Sequence, residues 1–118
     1  MNKNNVNIAK AYYGAMSKKN INDVEKYLHA DVQFSAPLAK VTGKKTFLES
    51  ITKFISFFKT LTIRAQFGSD DQAIVVYDVD FPAPIGMVPT VALMNIQNGL
   101  ITKIELFYDA RPFEKKSN

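Results

Sequence analysis

The groups in this sequence that could bind, polarise or move a proton are five tyrosines, one histidine and eleven acidic residues, with no cysteine among them. Without cysteine there is no thiol nucleophile, no disulfide framework and no thiolate-held zinc or iron–sulfur centre. A single histidine, His29, leaves no His-rich metal site. It follows Tyr27 and Leu28 at the end of a helical stretch, where an imidazole sits near the last carbonyls as a cap. Asp78 and Asp80, two apart in AIVVYDVDF, share a strand face with Ile74 and Val76 and read as surface or interface groups; only a one-residue slip at a bulge would turn them inward. Asp109 and Arg111 in FYDARPF read as a pair tying down the C-terminal segment. The string GKKT at Gly43 is a helix start, because Leu38 stands where a phosphate-binding loop needs its first glycine. Phenols with an ordinary pKa of about 10 are poor general bases at neutral pH, but they can donate a hydrogen bond to a carbonyl oxygen.

The elements that must position these groups follow from hydrophobic periodicity. Val6, Ala9, Tyr13 and Met16 recur on one helical stripe, with Ile8, Tyr12 and Ala15 beside it. Asn20 caps a second helix over INDVEKYL, with Asp23 in its first turn. DVQFSAP (31–37) alternates as a short strand and stops at Pro37. The strongest helix starts near Gly43, with Phe47, Leu48, Ile51, Phe54, Ile55 and Phe58 on one broad face; Thr46 and Glu49 have the spacing of a capping box. Four β-rich runs follow, at 61–67, 73–81, 88–96 and 100–108, separated by GSDDQ, PAPIGM and QNG, turn chemistry suited to antiparallel pairing. The order predicts an α+β domain in which an antiparallel sheet curls around helices on one face.

At 118 residues, with nine phenylalanines and 47% hydrophobic content, the chain reads as one domain over 1–118 with its core at about 6–113, and as ordered. The ends MNKNN and EKKSN read as charged, frayed tails. The net charge of +4 comes from 13 scattered lysines and two arginines, a solvated surface and no nucleic-acid-binding face. No targeting signal opens the sequence, which is expected to start at or near Met1 in its mature form. The longest apolar stretch, IGMVPTVALMNI, is far shorter than the ~20 residues of a membrane span. A cytoplasmic protein without membrane attachment, metal or cofactor is expected.

Three strings, YLHADVQFSAP, TGKKTFLESI and NGLITKIELFYDARPF, together with the element order, resemble the nuclear transport factor 2-like superfamily in its SnoaL-like and ketosteroid-isomerase-like branch. The resemblance covers roughly Ala9 to Phe113. It implies a cone-shaped curved antiparallel sheet wrapped on three helices, the cystatin-like α+β barrel, enclosing an apolar pocket open at one end. It also implies a homodimer through the outer sheet face, where Ile74, Val76, Val91, Leu93 and Phe107 mix with charges.

Aligning the strands with the isomerase pattern turns Phe34 and Ala36 inward, together with Tyr77, Val79 and Phe81, then Thr90, Ala92 and Met94, then Ile104, Leu106 and Tyr108. With Tyr12 on the first helix and Phe58 on the third, this yields a ligand-lining set of Tyr12, Phe34, Phe58, Tyr77, Phe81, Thr90, Met94 and Tyr108. Tyr13 joins it if the first helix is rotated. The isomerase chemistry needs a carboxylate base and an oxyanion site made of a tyrosine and a protonated carboxylic acid. The tyrosine corresponds to Tyr12, but the two acids correspond to Ala36 and Ala92. The expected function is therefore binding of a small hydrophobic molecule in an enclosed apolar pocket. The alternatives are an isomerase, cyclase or dehydratase acting on a hydrophobic carbonyl compound, and a protein-interaction module using the outer sheet face.

Overall fold

The computed structural model describes residues 3–114 of the chain. The first helix, α1 (Lys3–Ser17), begins inside the tail read as frayed, with Asn5 buried and donating to the Asp70 carbonyl at 2.7 Å. Residues 1–2 and 115–118, the remainder of the two tails, lie outside the described residues. α1 ends in a tight turn with Lys19 in the left-handed region (φ 60°), its N–H bonded to the Met16 carbonyl and the Asn20 N–H to the Ala15 carbonyl. Asn20 caps α2 (Ile21–Glu25) as expected, its side-chain oxygen accepting the Asp23 N–H at 3.1 Å. α2 is shorter than its apolar spacing suggested, because Leu28 already pairs with Ile101 in the sheet.

That pairing moves His29 off any helix end and into strand β1 (Leu28–Ala36), where its Nδ1 accepts the Asp31 N–H at 2.9 Å. A short strand absent from the sequence reading, β2 (Ala39–Thr42), folds back on β1 and pairs Phe34 with Val41. Four residues with little alternation of burial carry no period-2 signal. α3 (Lys44–Phe57) starts from Gly43, whose φ of 96° favours glycine and whose N–H is bound by the Val32 carbonyl. Thr46 and Glu49 fall inside the helix, so the capping box does not form.

Strands β3 (Thr60–Gly68), β4 (Gln72–Asp80), β5 (Met87–Gln97) and β6 (Leu100–Phe107) complete one curved, unclosed six-stranded sheet in the order β2-β1-β6-β5-β4-β3. The sheet is mixed: β1 runs parallel to β6, with β2 and the helix α3 separating β1 from the meander that ends in β6. The hairpin at Asn98 and Gly99 has positive φ at both residues, the geometry whose twist matches flanking antiparallel strands. Register shifts leave Arg64 of β3 and Thr102 of β6 as extra residues opposite their partner strands and bend β3 and β6. α1 packs on β3 and β4 and α3 on β1 and β2, so the helices cover the inner face of the curve. On the outer face Ile74 pairs with Leu93 and Val76 with Val91, which in turn pairs with Phe107, an apolar strip across three strands.

Candidate functional site

Inside the curve, α1, α3 and the sheet leave a cavity of about 300 Å³. Its floor is built by strand parity and one helix. Tyr77 on β4 is the direct cross-strand partner of Thr90 on β5, so both side chains rise from the same inner row. Above them α1 brings Tyr12 and Tyr13, adjacent residues about 100° apart on a helix, which both reach the cavity because its wall wraps around them. The Tyr13 ring lies 4.5 Å from that of Tyr77 and 4.8 Å from that of Tyr12. All four residues are almost completely buried.

The Tyr77 hydroxyl donates to the Tyr13 hydroxyl at 3.4 Å. Burial pushes the phenols of Tyr12, Tyr13 and Tyr77 well above the ordinary tyrosine value, and a charge on a neighbouring phenol would raise each further. They are therefore neutral hydrogen-bonding groups at any physiological pH. Because Tyr77 donates to it, the Tyr13 hydroxyl keeps its own proton for another acceptor. Thr90 bonds the Val88 carbonyl within its strand at 3.3 Å.

Towards the opening the lining turns aromatic. Phe47, Ser50, Ile51, Phe54 and Phe57 descend the inner face of α3 at steps of one or three residues, and Phe34 on β1 stacks on Phe47 at 4.7 Å. Phe81, just beyond β4, contacts Phe54, Phe57 and Phe113. Phe57 is 47% exposed and Tyr108 and Phe113 are half-buried, so these rings mark the mouth. Burial of its ring also raises the Tyr108 phenol.

Six of the eight residues expected to line a pocket thus meet at this cavity: Tyr12, Phe34, Tyr77, Phe81, Thr90 and Tyr108. Phe58 and Met94 do not. α3 ends at Phe57, and Phe58, in extended conformation, leaves the helical stripe and turns its ring to Phe54 and to the ammonium of Lys19, which also donates to the Phe58 carbonyl. Met94 has the expected inward parity but lies farther along β5, between Ala73 and Ile104, where all three side chains fill solid core. Ala36 lines the cavity, whereas Ala92 is buried in the floor beside it. Sequence reasoning missed Ser50 and Phe57, although both continue the stripe through Phe47 and Phe54. It also missed Phe113, which lies in a single 3₁₀ turn with no periodicity.

Among the described residues, the lining contains no Asp, Glu, Lys, Arg or His. Asp78 faces outward and bonds Arg64 Nη1 at 3.3 Å, as its parity required. Asp109 accepts the Arg111 N–H and its guanidinium, which hold the carboxyl down at about 2. No group of three or more potential metal-ligating side chains occurs among the described residues. None of the described helices is long and apolar enough to cross a membrane. A second, wider hollow beside the start of α1, lined by Asn5, Asn7, Asp70 and Asn98 with Ile8 and Ile96, is more open and has no comparable convergence of side chains.

The sequence profile of the SnoaL-like domain matches residues 9–104, from the middle of α1 to the middle of β6. The chain belongs to the SnoaL-like domain family. Solved structures agree on the fold. This SnoaL-like domain superposes with a TM-score of 0.86 on a protein from Kribbella flavida at 21% identity, covering 92% of this chain and 89% of that one. An NTF2-like protein from Cytophaga hutchinsonii gives 0.82 at 18% identity, covering 92% of each chain. TerC, co-crystallised with polyporic acid, gives 0.80 at 16% identity, covering 95% of this chain and 96% of that one. No curated protein matches the sequence.

Proposed function

We propose that this SnoaL-like domain binds a small neutral hydrophobic molecule of about two fused rings, with an acceptor oxygen turned inward to the phenols and its apolar body against the aromatic mouth. The observation that carries this reading is the lining itself: hydroxyls gathered at the buried end, aromatic rings at the open end, and, among the described residues, no charged side chain. A dry, apolar cavity of about 150 Å³ holds benzene, and the volume here is about 300 Å³. A charged ligand would lose its hydration with no counter-charge to meet it, a far larger cost than any phenol hydrogen bond returns. TerC, crystallised with polyporic acid, supports the use of this fold to hold a small molecule.

No described carboxylate lines the cavity, so the isomerase, cyclase or dehydratase alternative lacks the base that would move a proton. What the phenols supply is a hydrogen bond to a carbonyl oxygen. The test is equilibrium binding of 2-acetylnaphthalene, 2-isopropylnaphthalene and 2-naphthoate. The ketone is expected to bind about five- to tenfold more tightly than the hydrocarbon, the worth of one neutral hydrogen bond, and the carboxylate not measurably. Equal affinity for naphthoate, or no uptake of any of the three, would overturn the reading.

We also propose a homodimer through the strip formed by Ile74, Leu93, Val76, Val91 and Phe107. Paired apolar rows on three neighbouring strands support a flat partner surface better than a solvated one. Light scattering should give twice the chain mass for the wild type and the single chain mass for Phe107→Lys. A monomeric wild type would remove the dimer and favour the interaction-module alternative for that face.

A further inference from the structure

The segment that follows β6 behaves differently from the rest of the cavity wall. The strand ladder stops at Phe107, and no backbone hydrogen bond ties residues 109–113 to the sheet among the described residues. The bonds this turn makes are internal. The Arg111 N–H reaches Asp109 Oδ1 at 3.0 Å, the Arg111 guanidinium grips both Asp109 oxygens, and the Phe113 N–H returns to the Ala110 carbonyl. Pro112 adds a fixed φ inside the same 3₁₀ turn. The result is a small, self-stiffened piece of chain.

Its ring contacts with the body are made by Phe113. Phe113 stands edge-on to Phe81 at 5.1 Å and contacts Tyr108 at 5.6 Å, and with Phe57 it lines the cavity. The Arg111 side chain, by contrast, is 86% exposed, so the clasp shapes the turn without fastening it to the wall. A stiffened turn packed through the Phe113 ring and joined to β6 through Tyr108 opens at lower cost than a strand in the ladder.

We propose that the turn Arg111–Phe113 is the door of the cavity: Phe113 closes the mouth against Phe81, the Asp109–Arg111 clasp keeps the turn moving as one body, and ligand enters and leaves when it swings away. Phe113 is thus a positioning and access residue more than a source of affinity. The inference rests on the cavity described above as the binding site. Its test uses a probe without polar atoms, so that failure of carbonyl recognition and failure of the door give different results.

The experiment is benzene exchange on the full chain, followed by NMR magnetisation transfer between free and bound benzene. In Phe113→Ala, entry and exit rates should both rise by about tenfold or more while the dissociation constant changes by less than about threefold. A residue that is only wall would speed exit alone. Asp109→Asn, which keeps the ring but loosens the clasp, should speed both directions by a smaller factor. Binding of benzene to Phe113→Ala but not to the wild type on the experimental timescale would also support the door. Faster exit with unchanged entry, no change in either rate, or no benzene uptake by either protein would overturn it. Should Phe113→Ala fail to fold, Asp109→Asn decides alone: acceleration of both rates supports the proposal, and unchanged rates refute it.

Discussion

The contact between Tyr13 and Tyr77 can be tested by a double-mutant cycle whose size and sign follow from its geometry. The Tyr77 hydroxyl donates to the Tyr13 hydroxyl at 3.4 Å, long for an O–H···O bond, and both rings are almost fully buried. A net hydrogen bond is worth about 0.5–1.5 kcal/mol, and the length places this one at the lower end. Tyr77→Phe removes the donor and should cost about 0.5 kcal/mol. Tyr13→Phe leaves a buried donor without its acceptor and should cost about 1.5 kcal/mol. The double variant replaces both partners by apolar groups of nearly the same shape and should cost only about 1 kcal/mol, so the singles should overshoot the double by about 1 kcal/mol. With an unfolding entropy of about 2.1 cal/mol/K per residue, 1 kcal/mol in a chain of this length corresponds to about 4 °C in Tm. Thermal unfolding of the four proteins, with Tyr12→Phe as a control expected within about 0.5 kcal/mol, resolves this. Additivity within about 0.3 kcal/mol would refute the bond, and a costlier Tyr77→Phe would refute its direction.

Other consequences are as direct. A Cβ at Gly68 would run into the Val6 side chain of α1, and since valine is stiff at χ1, Gly68→Ala should destabilise by about 1–3 kcal/mol in chemical denaturation. Lys19→Met, which removes the bond to the Phe58 carbonyl and the ammonium over the Phe58 ring, should cost about 1 kcal/mol without changing benzene binding. Tyr12, Tyr13 and Tyr77 have pKa values raised by burial, so in the unfolded chain they lose their protons first. Their contribution is intact below about pH 10 and is lost as the pH rises beyond it. Phenolate absorbance should therefore show these three titrating together with loss of near-ultraviolet circular dichroism; their smooth titration in the folded protein would contradict the burial.

The architecture was legible where one periodicity ran long enough to declare itself. The stripe of α3, the alternation of β4 to β6 and the Asn98–Gly99 turn each carry a local physical rule; parity put Asp78 and Tyr77 on opposite faces, and the resemblance to the isomerase-like branch said which face was inward. What escaped were features set by partners distant in the chain. β2 exists because β1 offers it an edge, His29 is in a strand because β6 arrives beside it, and Phe58 leaves its stripe because Lys19 closes the end of α3. Phe113 belongs to the same group: a single turn placed by tertiary contact leaves nothing periodic to read.

The parallel seam between β1 and β6 sets the order in which this molecule can be assembled. Phe34 pairs with Ile104, some seventy positions later in the chain, whereas β3 to β6 are joined by short connections. Closing so long a loop costs entropy that must be met before the contact repays it. The C-terminal meander can form from local pairings, but the wall carrying Phe34 and the helix behind it docks only when β6 is in place. On a ribosome the segment with Phe34, Phe47 and Phe54 therefore waits with its aromatic surface uncovered until β6 has emerged. The hollow closes only once β6 is in place, and the stretch of synthesis before that is when the domain is most exposed to aggregation and most in need of a chaperone.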